Sequence, residues 1–365
     1  MNRLLLGAWA LTALAACNDP TRLAEQSGGP AASAVQAQYT VQDLGAFGGD
    51  ESGALGINND GDVVGYAHIA TGEDRAILWR AGRAPRSLGT LGGVNSRARG
   101  INDRDQVAGF SELNRDSPKH HAFIWSEAAG MRDLGTLGGG NSQAWGINNL
   151  GEVVGGSDLR GDKLHAFLWR PGRGMQDLGT LGGRSSEARR INDAGEVVGT
   201  SETASGHGHA FIWTAAHGME DLGTLGGAES RAIALSQTGA VVGSSETAAG
   251  KEEAFLWTRA GGMVSLGNLP NHSDLVEPNG VNGRGEVVGT SLNIERGGYH
   301  PWIWTEERGM RRLPTLGGGQ GYPRDLNESG QLVGFGVNAL QELHATLWAP
   351  SAGSSAVHAA TSVAP

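Results

Sequence analysis

Residues 142–183 read SQAWGINNLGEVVGGSDLRGDKLHAFLWRPGRGMQDLGTLGG, and the order of the motifs in this stretch decides the architecture. Ser142-Gln143-Ala144-Trp145-Gly146-Ile147 alternates enough for a short strand. Asn148-Asn149-Leu150-Gly151 makes a tight connection, because Asn and Gly tolerate the positive φ that hairpin loops favour. Glu152-Val153-Val154-Gly155, β-branched and apolar, predicts the next strand. A polar loop, Asp158 to Lys163, leads to a third strand, His165-Ala166-Phe167-Leu168-Trp169. Pro171-Gly172-Arg173-Gly174 then turns the chain into a fourth, Met175 to Gly179. No stretch of the unit carries a 3.6-residue apolar period long enough for a helix.

The same motifs recur in step every 44 to 47 residues, and Trp79, Trp125, Trp169, Trp213, Trp257, Trp304 and Trp348 count seven copies across residues 39–348. Four short strands per unit, repeated seven times, predict an all-β fold: a seven-bladed β-propeller of four-stranded antiparallel blades. The rival is a β-solenoid, which should open with an atypical cap. This array instead begins and ends mid-unit. Tyr39 to Gly45 reads as a fourth strand with no first three before it, and His344 to Trp348 as a third strand with no fourth after it. Pairing the two fragments closes a ring and removes the edges an open array would expose.

At these motifs the chain resembles the HAF-repeat family of bacterial extracellular proteins, named for the His-Ala-Phe of the third strand. The resemblance spans residues 39–348 and implies an exported repeat protein. It supplies no catalytic residue. Departures occur: Arg75 and Glu253 replace the His, Ser236 replaces the Asn, and His300-Pro301-Trp302 stands for His-Ala-Phe. The sixth copy also has Leu269-Pro270-Asn271-His272 in place of Leu-Gly-Gly.

The ends read differently. Met1-Asn2-Arg3 is a short basic lead, and Leu4 to Ala16 is an apolar run too short to span a membrane stably. Leu14-Ala15-Ala16-Cys17 resembles the lipobox of bacterial lipoproteins, which implies cleavage after a signal peptide of residues 1–16 and lipidation of Cys17. Several acyl chains on one Cys suffice for a stable membrane anchor. Asn18, rather than Asp, directly after the Cys favours the outer membrane or cell surface by analogy with sorting signals. Residues 17–38 then form the lipidated Cys and a flexible tether, and residues 349–365 a flexible tail, since neither has a hydrophobic period. With a single Cys no disulfide can form, so the core must come from packing.

A net charge of -10 argues against nucleic acid as a partner. The motif histidines, His121, His165, His209, His300 and His344, share one column and read as side chains bonded within their own blades rather than as metal ligands. Asn58-Asn59-Asp60-Gly61-Asp62 has the oxygen pattern of a calcium loop, yet its equivalents elsewhere lack the carboxylates, so it reads as a turn. No cofactor or metal is expected. Ser, His and Asp recur with the repeat, whereas catalysis needs one unique set.

Columns that stay fixed serve the blade, and columns that vary are free for something else. The last Gly of Val-Val-Gly never changes, which marks a bulge or a close backbone approach. One column of the first strand varies widely: Leu55, Arg99, Trp145, Arg189, Ile233, Asn279 and Arg324. Arg99, Trp145, Arg189 and Arg324 are the candidate ligand-binding residues, because Arg and Trp anchor binding surfaces and Trp stacks on sugars. Variable loops flank this column, from second to third strand and from fourth to the next first, on one face of a propeller. The reading is a surface-tethered, monomeric, non-catalytic binding or scaffold module for an extracellular glycan or protein, held to the membrane by lipid. The rival reading is a polysaccharide hydrolase or lyase on a propeller scaffold.

Overall fold

Ser142 to Asp177 forms one complete blade: β10 (Ser142–Ile147), β11 (Val153–Asp158), β12 (Leu164–Arg170) and β13 (Gly174–Asp177), paired in that order and antiparallel throughout. The computed structural model describes residues 39–351 apart from 162, 268, 270–275 and 293–296, and the side chain of residue 117. These residues build seven four-stranded sheets. Blade 1 spans residues 52–87, blade 2 residues 96–133 and blade 3 residues 142–177. Blades 4, 5 and 6 span residues 182–221, 226–265 and 276–312. Blade 7 combines β26 (Gly317–Leu326), β27 (Leu332–Asn338) and β28 (Leu343–Pro350) with β1 (Tyr39–Asp43). The fold is therefore a seven-bladed β-propeller, and no helix occurs among the described residues.

The core lies between blades rather than within them. Val154, Ala166 and Leu168 of blade 3 pack against Ala188, Val197, Phe211 and Trp213 of blade 4, and equivalent clusters fill the other junctions. Burial of each large apolar side chain contributes roughly 1.5–3 kcal/mol. The invariant Gly makes this packing possible. A Cβ on Gly155 would lie 1.8 Å from the Gln143 carbonyl oxygen and 2.9 Å from the Phe167 ring, and Gly65 and Gly199 are as confined. Close approach is the reason for the glycine; the bulge sits opposite it, in the innermost strand, where register shifts between Ala144 and Gly146.

Polar side chains pin neighbouring blades. Ser142 Oγ donates to the Gly135 carbonyl (2.6 Å), in the connection that follows blade 2, and accepts the Ala122 N–H of blade 2 (2.9 Å). Ser96, Ser186 and Ser230 repeat the device. Around the axis, each turn Asn reaches the backbone of the next: Asn102 Nδ2 to Asn148 O at 2.8 Å, Asn148 Nδ2 to Asn192 O at 3.1 Å, Asn327 Nδ2 to Asn58 O at 3.0 Å.

Ring closure uses the same parts across the ends of the chain. Tyr39 pairs with Pro350, Val41 with Trp348 and Gln42 with Leu347, so the last strand runs two residues past the repeat pattern. Ser52 Oγ bridges Gly45 O (2.7 Å) and Ala345 N (2.9 Å). His344 Nδ1 lies 2.8 Å from Asp43 Oδ2, 301 positions away in sequence. The solenoid alternative is thereby overturned.

Candidate functional site

The variable column occupies the bulge. In each blade its residue is the one the ladder skips, as Arg99 lies between the paired Ala98 and Gly100, and Arg324 between Pro323 and Asp325. A skipped residue is released from the alternation of the strand, and a bulge re-aims its side chain. Here the side chains from several blades meet across the central channel. The Arg99 guanidinium lies 4.3 Å from the Trp145 ring centre, and Arg189 lies 4.3 Å from the same ring. Arg324 stacks on Phe335 at 4.9 Å, and Arg99 also approaches Phe110 at 5.5 Å.

Carboxylates do not match these cations one for one. Glu187 accepts the Trp145 indole N–H at 2.8 Å and pairs with Arg189 at 2.9 Å. Arg99 has no hydrogen bond or ion pair among the described residues, and its Nε is buried without a partner, as is that of Arg324. Burial, reinforced by the positive charges of Arg97, Arg189 and Arg324, pushes the Arg99 guanidinium down to about 9. Burial likewise lowers Arg324.

Thus the structure brings together Arg99, Trp145 and Arg189, with Arg324 alongside. The Trp145 ring already carries a guanidinium from each neighbouring blade. Cys17 lies outside the described residues.

A cavity of about 130 Å³ lies between this layer and the mouth formed by the turns that join first and second strands. Arg99 and Trp145 form its inner end, Arg190 and Asp325 part of its wall, and Ile57, Ile101, Leu235 and Val281 an aliphatic collar. Side chains at Asn59, Asp103, Asn149 and Glu328 rim the opening. This is the face opposite the variable loops, where the sequence argument expected a ligand. The rim is cross-linked: Asp103 Oδ1 accepts the Asn59 N–H at 2.9 Å, and the Asn149 side chain reaches Asp103 Oδ2 and Asp193 Oδ2, each at 3.0 Å. Partial burial opposes ionisation of Asp103, but these hydrogen bonds hold its carboxyl below the usual carboxylate range.

On the loop face, a column the sequence argument passed over matters too. The residue after the invariant Gly is Tyr66, Phe110 or Phe335 in blades 1, 2 and 7, against Gly156, Thr200, Ser244 and Thr290 in blades 3 to 6. The same comparison of repeats would have found it. Tyr66 carries Arg97 at 4.1 Å on its ring and donates to Glu51 at 2.7 Å, while Arg97 Nε donates to Asp74 at 2.6 Å. Glu51, Asp74 and Glu187 are thus each engaged by a neighbouring Tyr, Arg or Trp.

The histidine column belongs to the blades. His165 Nδ1 is 2.9 Å from Asp177 Oδ1 on the next strand, and His121 and His209 meet Asp133 and Asp221 in the same way. Where Glu253 replaces the His, Ser265 replaces the Asp and donates to it at 2.7 Å. The Asn58 segment closes as a turn, Gly61 N–H donating to Asn58 O at 3.1 Å. No group of three His, Cys, Asp or Glu side chains suited to a metal lies among the described residues.

No family model and no characterised protein sequence matches the chain. Solved structures do match in fold. The β-propeller domain of the Trilobed protease from Pyrococcus furiosus, described as having an open velcro topology, is similar at 11% identity and TM-score 0.57, over 82% of this chain and 95% of that one. The BP39L lectin of Burkholderia pseudomallei is similar at 10% identity and TM-score 0.52, over 87% and 97%. The oligogalacturonate lyase of Vibrio parahaemolyticus is similar at 10% identity and TM-score 0.53, over 85% and 93%. The chain spans 65% of TolB from Acinetobacter baumannii and 52% of a puromycin hydrolase that it also matches. At such identities the likeness establishes the propeller and nothing finer.

Proposed function

We propose that the protein is an exported member of the HAF-repeat family, anchored to the cell envelope through Cys17, that binds an anionic extracellular ligand with its channel arginines. The observation that carries the reading is Arg99, a half-buried guanidinium whose Nε is buried without an acceptor, beside Arg189 and Arg324. A cation removed from water with no counter-ion costs several kcal/mol, and a ligand that supplies the negative charge offsets that cost. The ligand class is an acidic glycan or an acidic protein segment. The BP39L neighbour is a lectin by its own description, which is compatible with the glycan arm.

Binding of acidic polysaccharides and acidic peptides to the full chain tests the reading. Replacing Arg99, Trp145, Arg189 and Arg324 together by Ala should weaken binding at least tenfold with little change in melting temperature. An equal loss of stability would make the four residues structural. The anchor is tested separately: Cys17→Ala should abolish incorporation of a clickable fatty acid and release the protein from the membrane fraction. Continued acylation of that variant would refute the lipoprotein assignment.

A further inference from the structure

Next to the bulge, the innermost strands carry a second column that is nearly all small: Gly56, Gly100, Gly146, Ala234 and Gly280 in blades 1, 2, 3, 5 and 6. The reason is space. A Cβ on Gly146 would meet the Arg189 carbonyl oxygen at 3.1 Å, and one on Gly280 the Leu326 side chain at 2.7 Å. Two blades break the rule, and they break it with opposite charges. Blade 4 places Arg190 there and blade 7 places Asp325. Both line the cavity behind the asparagine-rimmed mouth, three blades apart in the ring.

They do not form an ion pair with each other. Arg190 Nη1 donates to the carbonyls of Trp145 and Arg189, each at 3.1 Å, and its other nitrogens have no acceptor among the described residues. Asp325 accepts the N–H groups of Leu326 at 3.0 Å and Ile57 at 3.3 Å. The inner end of the same cavity is Arg99, which has no acceptor at all among the described residues. Two guanidiniums and one carboxyl therefore line the inner part of a space of about 130 Å³, beside Trp145 and the aliphatic collar, while Asn59, Asp103, Asn149 and Glu328 stand at its mouth. At about 30 Å³ per water, that space holds a few waters or one polyatomic group.

We propose that this cavity is a binding site for a single small oxyanion group, a carboxylate or a phosphate, held by the Arg99 and Arg190 guanidiniums with the Asp325 carboxyl opposite. Guanidinium forks match planar and tetrahedral oxyanions through charge-assisted hydrogen bonds. Burial pushes the Asp325 carboxyl up, against the lowering effects of Arg190 and of the Ile57 and Leu326 N–H groups, which lessens its repulsion of an anion. The collar of Ile57, Ile101, Leu235 and Val281 lowers the local dielectric and strengthens the attraction. The site shares Arg99 with the binding reading above but does not rest on it, since Arg190 and Asp325 have no part in that reading.

Calorimetric titration of the full chain with inorganic phosphate and with acetate, against chloride at matched ionic strength, tests the site. One saturable site for phosphate or acetate is expected. Arg190→Ala should weaken it at least tenfold. That substitution installs the residue blade 5 already carries at Ala234, so the blade has a precedent for it. Arg99→Leu, which copies Leu55 of blade 1, supplies a second variant with the same expected loss. Asp325→Asn, which removes the one negative charge of the inner site, should bind at least as tightly as the parent. Hexanoate separates the sources of the group. Binding of acetate but not hexanoate assigns the site to free anions; binding of both assigns it to the terminal group of a longer chain. A response to chloride equal to that of phosphate and acetate, or unchanged affinity in both arginine variants, would overturn the proposal. So would loss of the site in Asp325→Asn with both arginines intact.

Discussion

Arg99 is a residue that stability alone would not select. Burying part of a guanidinium, including an Nε left without an acceptor, costs about 1–3 kcal/mol, whereas stacking on Trp145 and Phe110 at a half-buried position returns about 0.5–1 kcal/mol per contact. Arg99→Leu should therefore stabilise the protein by about 1–2 kcal/mol in urea unfolding without added anions. A destabilised variant would show that the stacked layer itself holds the blades. Asp325 makes a companion case. Its folded-state pKa is raised by burial, against the lowering effect of Arg190. Stability from such a carboxyl is fully present below its unfolded pKa and is lost as pH rises through the folded value. Melting temperature of the parent relative to Asp325→Asn should accordingly fall as pH rises above the ordinary carboxylate range, and a flat difference would contradict the assignment. Sequence could flag Arg99 and Trp145 by their variation, but not their contact. Where a side chain points depends on the bulge, and the bulge is invisible until the facing strand is in register. Arg190 and Asp325 escaped notice because a mostly glycine column looks purely structural.

The unit of construction is the blade with its junction. Strand pattern, turn chemistry and order were readable because each depends on neighbours a few residues away: Val153 and Val154 favour a strand, and Gly151, at φ 76°, needs the left-handed region. The serine pins were not readable. Ser142 bonds Ala122 of the preceding blade and Gly135 in the connection that follows it, and no strand periodicity encodes a contact between sheets. Ser142→Ala leaves the Ala122 N–H without its acceptor and should cost about 1–3 kcal/mol. Gly155→Ala acts within one blade: its Cβ would meet the Gln143 carbonyl at 1.8 Å, and backbone cannot swing aside as a side chain can. That variant should lose about 2–4 kcal/mol in chemical denaturation, and a smaller loss than for Ser142→Ala would reverse this ranking of the two devices.

At the scale of the whole ring, apolar packing joins all seven pairs of neighbouring blades. The serine pin recurs at Ser52, Ser96, Ser142, Ser186 and Ser230, and blade 7 is completed by the opposite end of the chain. Mid-unit ends in the sequence were enough to foresee this, because an unmatched fourth strand and an unmatched third can be satisfied together. Deleting residues 39–45 should lower stability by several kcal/mol and promote aggregation, since it strips the partner from β28 and breaks the Ser52 and His344 contacts. Size-exclusion chromatography and a denaturant melt measure both effects. Removal of residues 18–35 is the control and should leave them unchanged.

Pairing of the first strand with the last also sets a schedule. The strand containing Val41 is made first, and its partner around Trp348 is made last. Joining ends separated by about 300 residues carries an entropic cost about 3 kcal/mol above that of a ten-residue hairpin. Blades 1 to 6 can each assemble from contiguous chain as it emerges, while the earliest strand waits without a partner until residues 343–350 have been made. A chain stopped short of residue 343 therefore leaves two edges open at once, that of the strand at Val41 and that of the strand at Leu332–Asn338.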